Sequence, residues 1–141
     1  MNRQLTDFSN KLCNNAYEFL GSFPTGTKAV FRVWAPAAKA VSVVGDFNSW
    51  DEKANPMKKV DGGIWEATVN DIEQYENYKY AITAADGSLT LKSDPYARHF
   101  ETAPGNSSKV YDMSGYVWSD ADWMRERAHK NIYESPVNIY E

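Results

Sequence analysis

A single cysteine, Cys13, in 141 residues rules out an internal disulfide, and no basic N-terminal stretch leads into an apolar run of the export type. No hydrophobic segment approaches the length that spans a bilayer, so a cytoplasmic chain is expected and no membrane partner. Positive charge is sparse and unclustered: the net charge is −4, which leaves little for the counterion release that drives nucleic-acid binding. Only two histidines occur, His99 and His129, without a cysteine or acidic partner at ligand spacing, so no metal is expected. Gly62-Gly63 stands alone, outside any phosphate-cradling fingerprint, and no cofactor is implied. The chain is also too short for a (β/α)8 barrel, which needs roughly 250 residues.

What is abundant is aromatic. Phe, Trp and Tyr make up 14% of the residues, with five Trp and nine Tyr, a share suited to a β-sandwich core or to a surface that stacks on sugars.

The apolar period changes along the chain. Leu5, Phe8, Leu12, Ala16, Phe19 and Leu20 recur at helical spacing, predicting one amphipathic helix or two short ones, stopped by Gly21 and Pro24. From Thr27 the period is two: Ala29, Phe31 and Val33 share one face, and Lys28, Val30 and Arg32 the other. Further strands are predicted over 41–44, 64–69, 78–83, 88–92 and 109–111, separated by turns such as Asp61-Gly62-Gly63 and Ala85-Asp86-Gly87. Short strands at this cadence without helices between them predict an all-β, immunoglobulin-like antiparallel sandwich. Its expected core includes Phe31, Val43, Ala67, Tyr80 and Ile82, with Trp34 and Trp65 packed inside or between sheets. After Tyr111, Ser119 and Asp122 offer a capping signal for a short helix or linker over 121–129, and Pro136 to Glu141 is β-prone. The expected organisation is a helical extension over 1–24, a sandwich over 25–114 and a linker over 115–141.

Val33-Trp34-Ala35-Pro36-Ala37-Ala38, followed by Val41-Ser42-Val43-Val44-Gly45-Asp46-Phe47-Asn48-Ser49-Trp50, closely resembles the V-W-A-P-x-A and V-G-D-F-N-x-W signature of carbohydrate-binding module family 48. That family forms the N-terminal sandwich of branching and debranching enzymes in the α-amylase superfamily. Gly63-Ile64-Trp65-Glu66, Tyr78-Lys79-Tyr80 and Lys92-Ser93-Asp94-Pro95-Tyr96-Ala97 extend the resemblance in the same order. Tyr17 to Gly21 ahead of the sandwich and Pro136 to Glu141 behind it resemble the branching enzymes, the latter looking like the lead into the first strand of a catalytic barrel.

The resemblance implies a non-catalytic module with two partners: the barrel of its own full-length chain and an α-1,4-glucan such as glycogen or a maltooligosaccharide. Branching by a retaining transferase needs two carboxyl groups about 5 Å apart; the family carries them on the barrel, so no catalytic residue is assigned here. Trp50, on a polar loop, is the expected stacking platform. Lys79, projecting opposite Tyr78 and Tyr80, and the loop Asn106-Ser107-Ser108 resemble the hydrogen-bonding groups of glycogen-binding relatives. Those relatives carry a second Trp after an Asp-Gly turn, where this chain has Leu89 and Leu91. The same resemblance extends to two other settings for the module: a stand-alone glycogen-binding adaptor of eukaryotic energy-sensing kinase complexes, and a debranching or trehalose-forming enzyme.

Overall fold

The computed structural model describes residues 2–134, 136, 138 and 139. Two antiparallel sheets face one another. The first runs in the order β1 (Gly21–Thr25), β2 (Lys28–Trp34), β5 (Ile64–Asn70), β4 (Lys58–Lys59). The second runs β3 (Ala40–Gly45), β6 (Asn77–Thr83), β9 (Ser108–Lys109), β8 (His99–Phe100), with β7 (Leu89–Lys92) also paired to β6. Strands β7 and β9 share the edge of β6 that β3 leaves open, β7 along Tyr80–Thr83 and β9 along Asn77–Tyr78. This is the sandwich expected from the strand cadence.

Alternation along β2 fixes what lies between the sheets. Ala29, Phe31 and Val33 are buried, and they meet Val41, Val43, Tyr78 and Tyr80 from the opposite sheet in one core. Phe31 and Tyr78 touch edge to face with centroids 5.0 Å apart. Side chains of this size contribute about 1.5–3 kcal/mol each when fully buried, so this aromatic centre carries much of the fold's stability. Ala67 and Ile82 pack against the same core from its margin, and Trp65 is buried with its Nε1 donating to Ala35 O at 2.9 Å.

Trp34 departs from its expected place. It shares the outward parity of Lys28, Val30 and Arg32 and not that of Val33, so it is 53% exposed. Its Nε1 donates to Gly62 O at 3.1 Å, and its ring meets Phe8 edge to face at 5.9 Å.

The N-terminal periodicity resolves into α1 (Asn2–Ser9) and a single 3-10 turn over Ala16–Glu18. Phe19, Leu20 and Ile64 form a second small core there, flanked by Phe8, Cys13, Ala16 and Val60. Ile64 shares the outward parity of Glu66 and Thr68, so this segment covers the outer face of the first sheet. Gly21 and Pro24 end the helical pattern but begin β1, which the helical reading of this stretch passes over. It is an edge strand, where proline is tolerated because one side of the backbone needs no ladder donor.

Beyond the sandwich, α2 (Ala121–Arg127) is exposed along its length, with Trp123 and Met124 half in solvent. Asp120 holds its cap position without a side-chain cap bond, and Asp122 pairs with Arg125, so neither Ser119 nor Asp122 caps as the sequence suggests. Of the β-prone tail, Val137, Tyr140 and Glu141 lie outside the described residues, and Pro136, Asn138 and Ile139 carry no strand. No helix among the described residues is long and apolar enough to cross a membrane.

Candidate functional site

Strand β3 ends on Gly45 and the chain turns through a 3-10 turn, Asp46–Asn48, into two successive residues with left-handed backbone, Ser49 at φ 53° and Trp50 at φ 63°. Such geometry is costly for a bulky residue and persists only where surrounding contacts enforce it. Here they do. Asn48 Oδ1 accepts from Gly45 N at 2.9 Å, while its Nδ2 donates to Val43 O at 3.1 Å and to Asn55 Oδ1 at 2.7 Å. Trp50 N donates back to Gly45 O at 3.0 Å. Glycine is required at 45 by proximity: a Cβ there would lie 2.3 Å from Asn77 O and 2.7 Å from Phe47 Cε1.

The turn presents the indole. Trp50 Nε1 donates to Asp46 Oδ1 at 3.0 Å, and Asp46 Oδ2 accepts from Asn77 N at 2.8 Å. The side chain of Trp50 is therefore tied to the start of β6 through one carboxylate while the residue remains 36% exposed.

On β6, Tyr78 and Tyr80 point into the core, which turns Asn77 and Lys79 to the outer face of the second sheet. Lys79 Nζ donates to Asn106 Oδ1 at 2.5 Å, and Asn106 O accepts from Ser93 Oγ. Leu89 and Leu91, in register with Thr83 and Ala81, add exposed apolar surface to that face where relatives were expected to carry a Trp.

The loop implied by the resemblance divides. Asn106 is exposed, whereas Ser107 and Ser108 are buried, at 6% and 0% exposure. Ser107 N donates to Glu101 Oε2 at 2.8 Å, and Ser108 Oγ accepts from Asp94 N at 2.8 Å. Ser108 shares the inward parity of Tyr78, its register partner, and Ser107 is tied to Glu101, so both buried serines belong to the framework. Trp50, Lys79 and Asn106 remain as the outward groups.

Asp94 is the polar centre of that framework. Its Oδ2 accepts from Tyr78 OH at 2.6 Å and Tyr80 OH at 3.1 Å, and its Oδ1 accepts from Tyr96 N at 2.8 Å. Burial pushes its carboxyl above the ordinary carboxylate range, against those hydrogen bonds, and burial followed by the charge of Asp94 pushes both tyrosine hydroxyls upward. At 1% exposure Asp94 meets no substrate. Sequence reasoning missed Asp46, Asn48 and Asp94, although each lies inside a motif the sequence singles out. Asp46 and Asp94 act through partners distant along the chain, Asn77 for the one and Tyr78, Tyr80 and Ser108 for the other, whereas Asn48 closes its own turn on Val43, Gly45 and Asn55. Among the described residues, no group of three or more His, Cys, Asp or Glu is arranged to hold a metal ion.

Compared with known proteins, residues 19–97 match the family model described as carbohydrate-binding module 48, isoamylase N-terminal domain. The chain belongs to this family. The matched span opens at Phe19 beneath the first sheet and includes Asp46, Trp50, Lys79 and Asp94, so the module contains the presented indole, the carboxylate that holds it and the buried centre of the framework. Among curated relatives, a 1,4-alpha-glucan branching enzyme of Bacillus cytotoxicus is 41% identical over 146 residues, covering 100% of this chain and 23% of that protein. The namesake enzyme of Bacillus mycoides is 50% identical over 110 residues, covering 77% and 17%. The chain thus spans less than a quarter of the length of these relatives. Among solved structures, a pullulanase from Bacillus acidopullulyticus shares 28% identity at a TM-score of 0.56, over 66% of this chain and 12% of that one. A pullulanase from an Anoxybacillus species, solved with maltotetraose, shares the fold at 22% identity and a TM-score of 0.61, over 95% and 17%.

Proposed function

We propose that this carbohydrate-binding module 48 chain is the N-terminal accessory domain of a cytoplasmic 1,4-alpha-glucan branching enzyme of glycogen biosynthesis. In that setting it offers an α-1,4-glucan a shallow contact face and orients a catalytic barrel carried elsewhere on the full-length protein. Residues 115–141 serve as the connector. The full enzyme moves α-1,4-linked segments onto 6-hydroxyls to form α-1,6 branches; this module supplies no carboxylate to that chemistry.

The observation that carries the glucan reading is the clamped indole of Trp50. A partly exposed ring held by Asp46 at a left-handed residue has an apolar face for a pyranose, and the outward Lys79–Asn106 pair offers polar groups for sugar hydroxyls. Branching is favoured over debranching by the relatives: branching enzymes match at 41% across the whole chain, pullulanases at 22–28%. A half-buried, undisulfided Cys13 suits a cytoplasmic setting.

A site with one stacking ring and few hydrogen bonds should bind maltoheptaose with a Kd on the order of 0.1–1 mM. Amide-shift titration of the 141-residue chain tests this. The largest shifts are expected around Trp50, Lys79 and Asn106, and Trp50→Ala should abolish most binding with the fold intact. Shifts clustered elsewhere, or unfolding of Trp50→Ala, would show that the indole is packing and not platform. Measurable branching by the purified chain, free of host enzyme, would overturn the accessory assignment.

A further inference from the structure

The outer face of the second sheet carries a second aromatic group that the reading above leaves unused. Tyr75, His99 and Tyr111 touch one another in a closed trio, with ring centroids 5.6 Å apart for Tyr75–His99, 5.7 Å for Tyr75–Tyr111 and 5.4 Å for His99–Tyr111. Register places the trio relative to Trp50. Asn77 pairs with Lys109 and Lys109 with His99, all of them outward because Tyr78 and Ser108 point into the core. Tyr111 shares the parity of Lys109. Trp50 is tied through Asp46 to the backbone of the same Asn77. One row therefore crosses the sheet with Trp50 at one end, Asn77 and Lys109 in the middle and the aromatic trio at the other end. From β3 to β8 it spans three strand spacings, roughly 14 Å.

Backbone geometry marks both ends of the row. Of the five non-glycine residues with positive φ among the described residues, two are aromatic: Trp50 at 63° and Tyr75 at 72°. Tyr75 keeps this strained conformation through a backbone bond, its N donating to Val110 O at 2.8 Å, yet its ring is 50% exposed, so burial does not offset the strain. Strain held at an exposed aromatic points to a ring placed for use.

We propose that Tyr75, His99 and Tyr111 form a second stacking platform and that a single α-1,4-glucan chain spans from it to Trp50 across Asn77 and Lys109. The inference rests on the glucan reading of Trp50 and adds to it a length requirement: short oligosaccharides fill one end, longer ones both. The occupant is a sugar chain because the surface between the two aromatic ends is polar, with the Lys109 side chain available to hydroxyls, where a protein segment of apolar character would meet no apolar continuity.

The test is an amide-shift titration of the 141-residue chain with maltotriose and with maltoheptaose, in wild type, Tyr75→Gly and Tyr111→Ala. Glycine adopts φ 72° without steric cost, so Tyr75→Gly removes the ring and relieves the strain together. Its thermal midpoint should hold or rise, which separates loss of the ring from loss of the fold. In wild type, maltoheptaose should shift resonances at both ends and bind about three- to tenfold more tightly than maltotriose. Both variants should lose that gain while maltotriose still binds at Trp50. Shifts confined to Trp50, or unchanged maltoheptaose affinity in both variants, would overturn the second platform and leave the Trp50 reading standing. Shifts at neither end would overturn both, and shifts at the trio alone would sustain the platform while removing Trp50 from the site.

Discussion

Asp46 holds Trp50 by one carboxylate oxygen and the backbone of Asn77 by the other, at 3.0 and 2.8 Å. A single side chain thus fixes an indole against a neighbouring strand. Asp46→Ala frees the ring to rotate, so a glucan must order it on binding. We expect a three- to tenfold loss of maltoheptaose affinity, about 0.7–1.4 kcal/mol, with the sandwich still folded. Asp46→Asn keeps an acceptor for Nε1 and should fall between the two. Affinity unchanged in Asp46→Ala, measured by the same titration, would show that the indole needs no clamp.

Gly45 is the tightest steric point of the same turn. Its backbone is extended, at φ −179°, so the requirement is space and not dihedral freedom. An alanine Cβ would sit 2.3 Å from the carbonyl oxygen of Asn77, a backbone atom that moves only with β6. Gly45→Ala should therefore destabilise the domain by about 2–4 kcal/mol and displace the 46–50 turn, weakening glucan binding as well. Urea unfolding measures the first effect. A variant of native stability would mean that β3 and β6 separate more freely than their register suggests.

The period-two strands were legible in the sequence because burial on one face writes alternation directly into residue type, as in Ala29, Phe31 and Val33. Strands β4 and β8, two residues each, are too short to carry a period, and β1 was hidden by its Gly21 and Pro24. Trp34 was misplaced because a tryptophan at a strand end looks like core until parity is counted from Val33. For the candidate site, the turn that carries Trp50 and the outward face of Lys79 were readable from motif and alternation. The burial of Ser107 and Ser108 was not, since Ser108 is held by the backbone N–H of Asp94, fourteen residues away, and Ser107 by the carboxylate of Glu101. The trio of Tyr75, His99 and Tyr111 is likewise invisible along the chain, being assembled by three separate segments.

Phe8 joins α1 to the sandwich through edge-to-face contacts with Phe19 at 5.7 Å and Trp34 at 5.9 Å. Phe8→Ala removes both, and we expect a loss of roughly 1–3 kcal/mol, confined to the docking of α1. Hydrogen exchange should accelerate over 2–20 and Trp34 fluorescence should shift to the red, while amides of Val43, Tyr78 and Tyr80 keep their protection. Global loss of protection would place α1 inside the cooperative unit.

Asp94 gives the domain a pH signature opposite to that of its exposed acids. Asp86, Glu101 and Asp112 have carboxyls held below their ordinary ranges by hydrogen bonds from nearby serines, so acidification removes the stability those bonds contribute. Asp94 is raised instead, with burial as the main cause. The folded state then binds a proton more readily than the unfolded chain, so the contribution of Asp94 is fullest below its ordinary pKa and falls as the pH rises through the raised value. Asp94→Asn removes this titration. It also replaces one of the oxygens accepting from Tyr78, Tyr80 and Tyr96 by an amide nitrogen, at a cost of about 1–3 kcal/mol. The stability difference between wild type and Asp94→Asn should therefore be largest at acidic pH, shrink as pH increases and become flat once the buried carboxyl is ionised. Urea denaturation of both proteins across the acidic range measures it. A difference that grows with rising pH would mean that the hydrogen bonds from Tyr78, Tyr80 and Tyr96 outweigh burial, and that the carboxylate form is the one this core was built to hold.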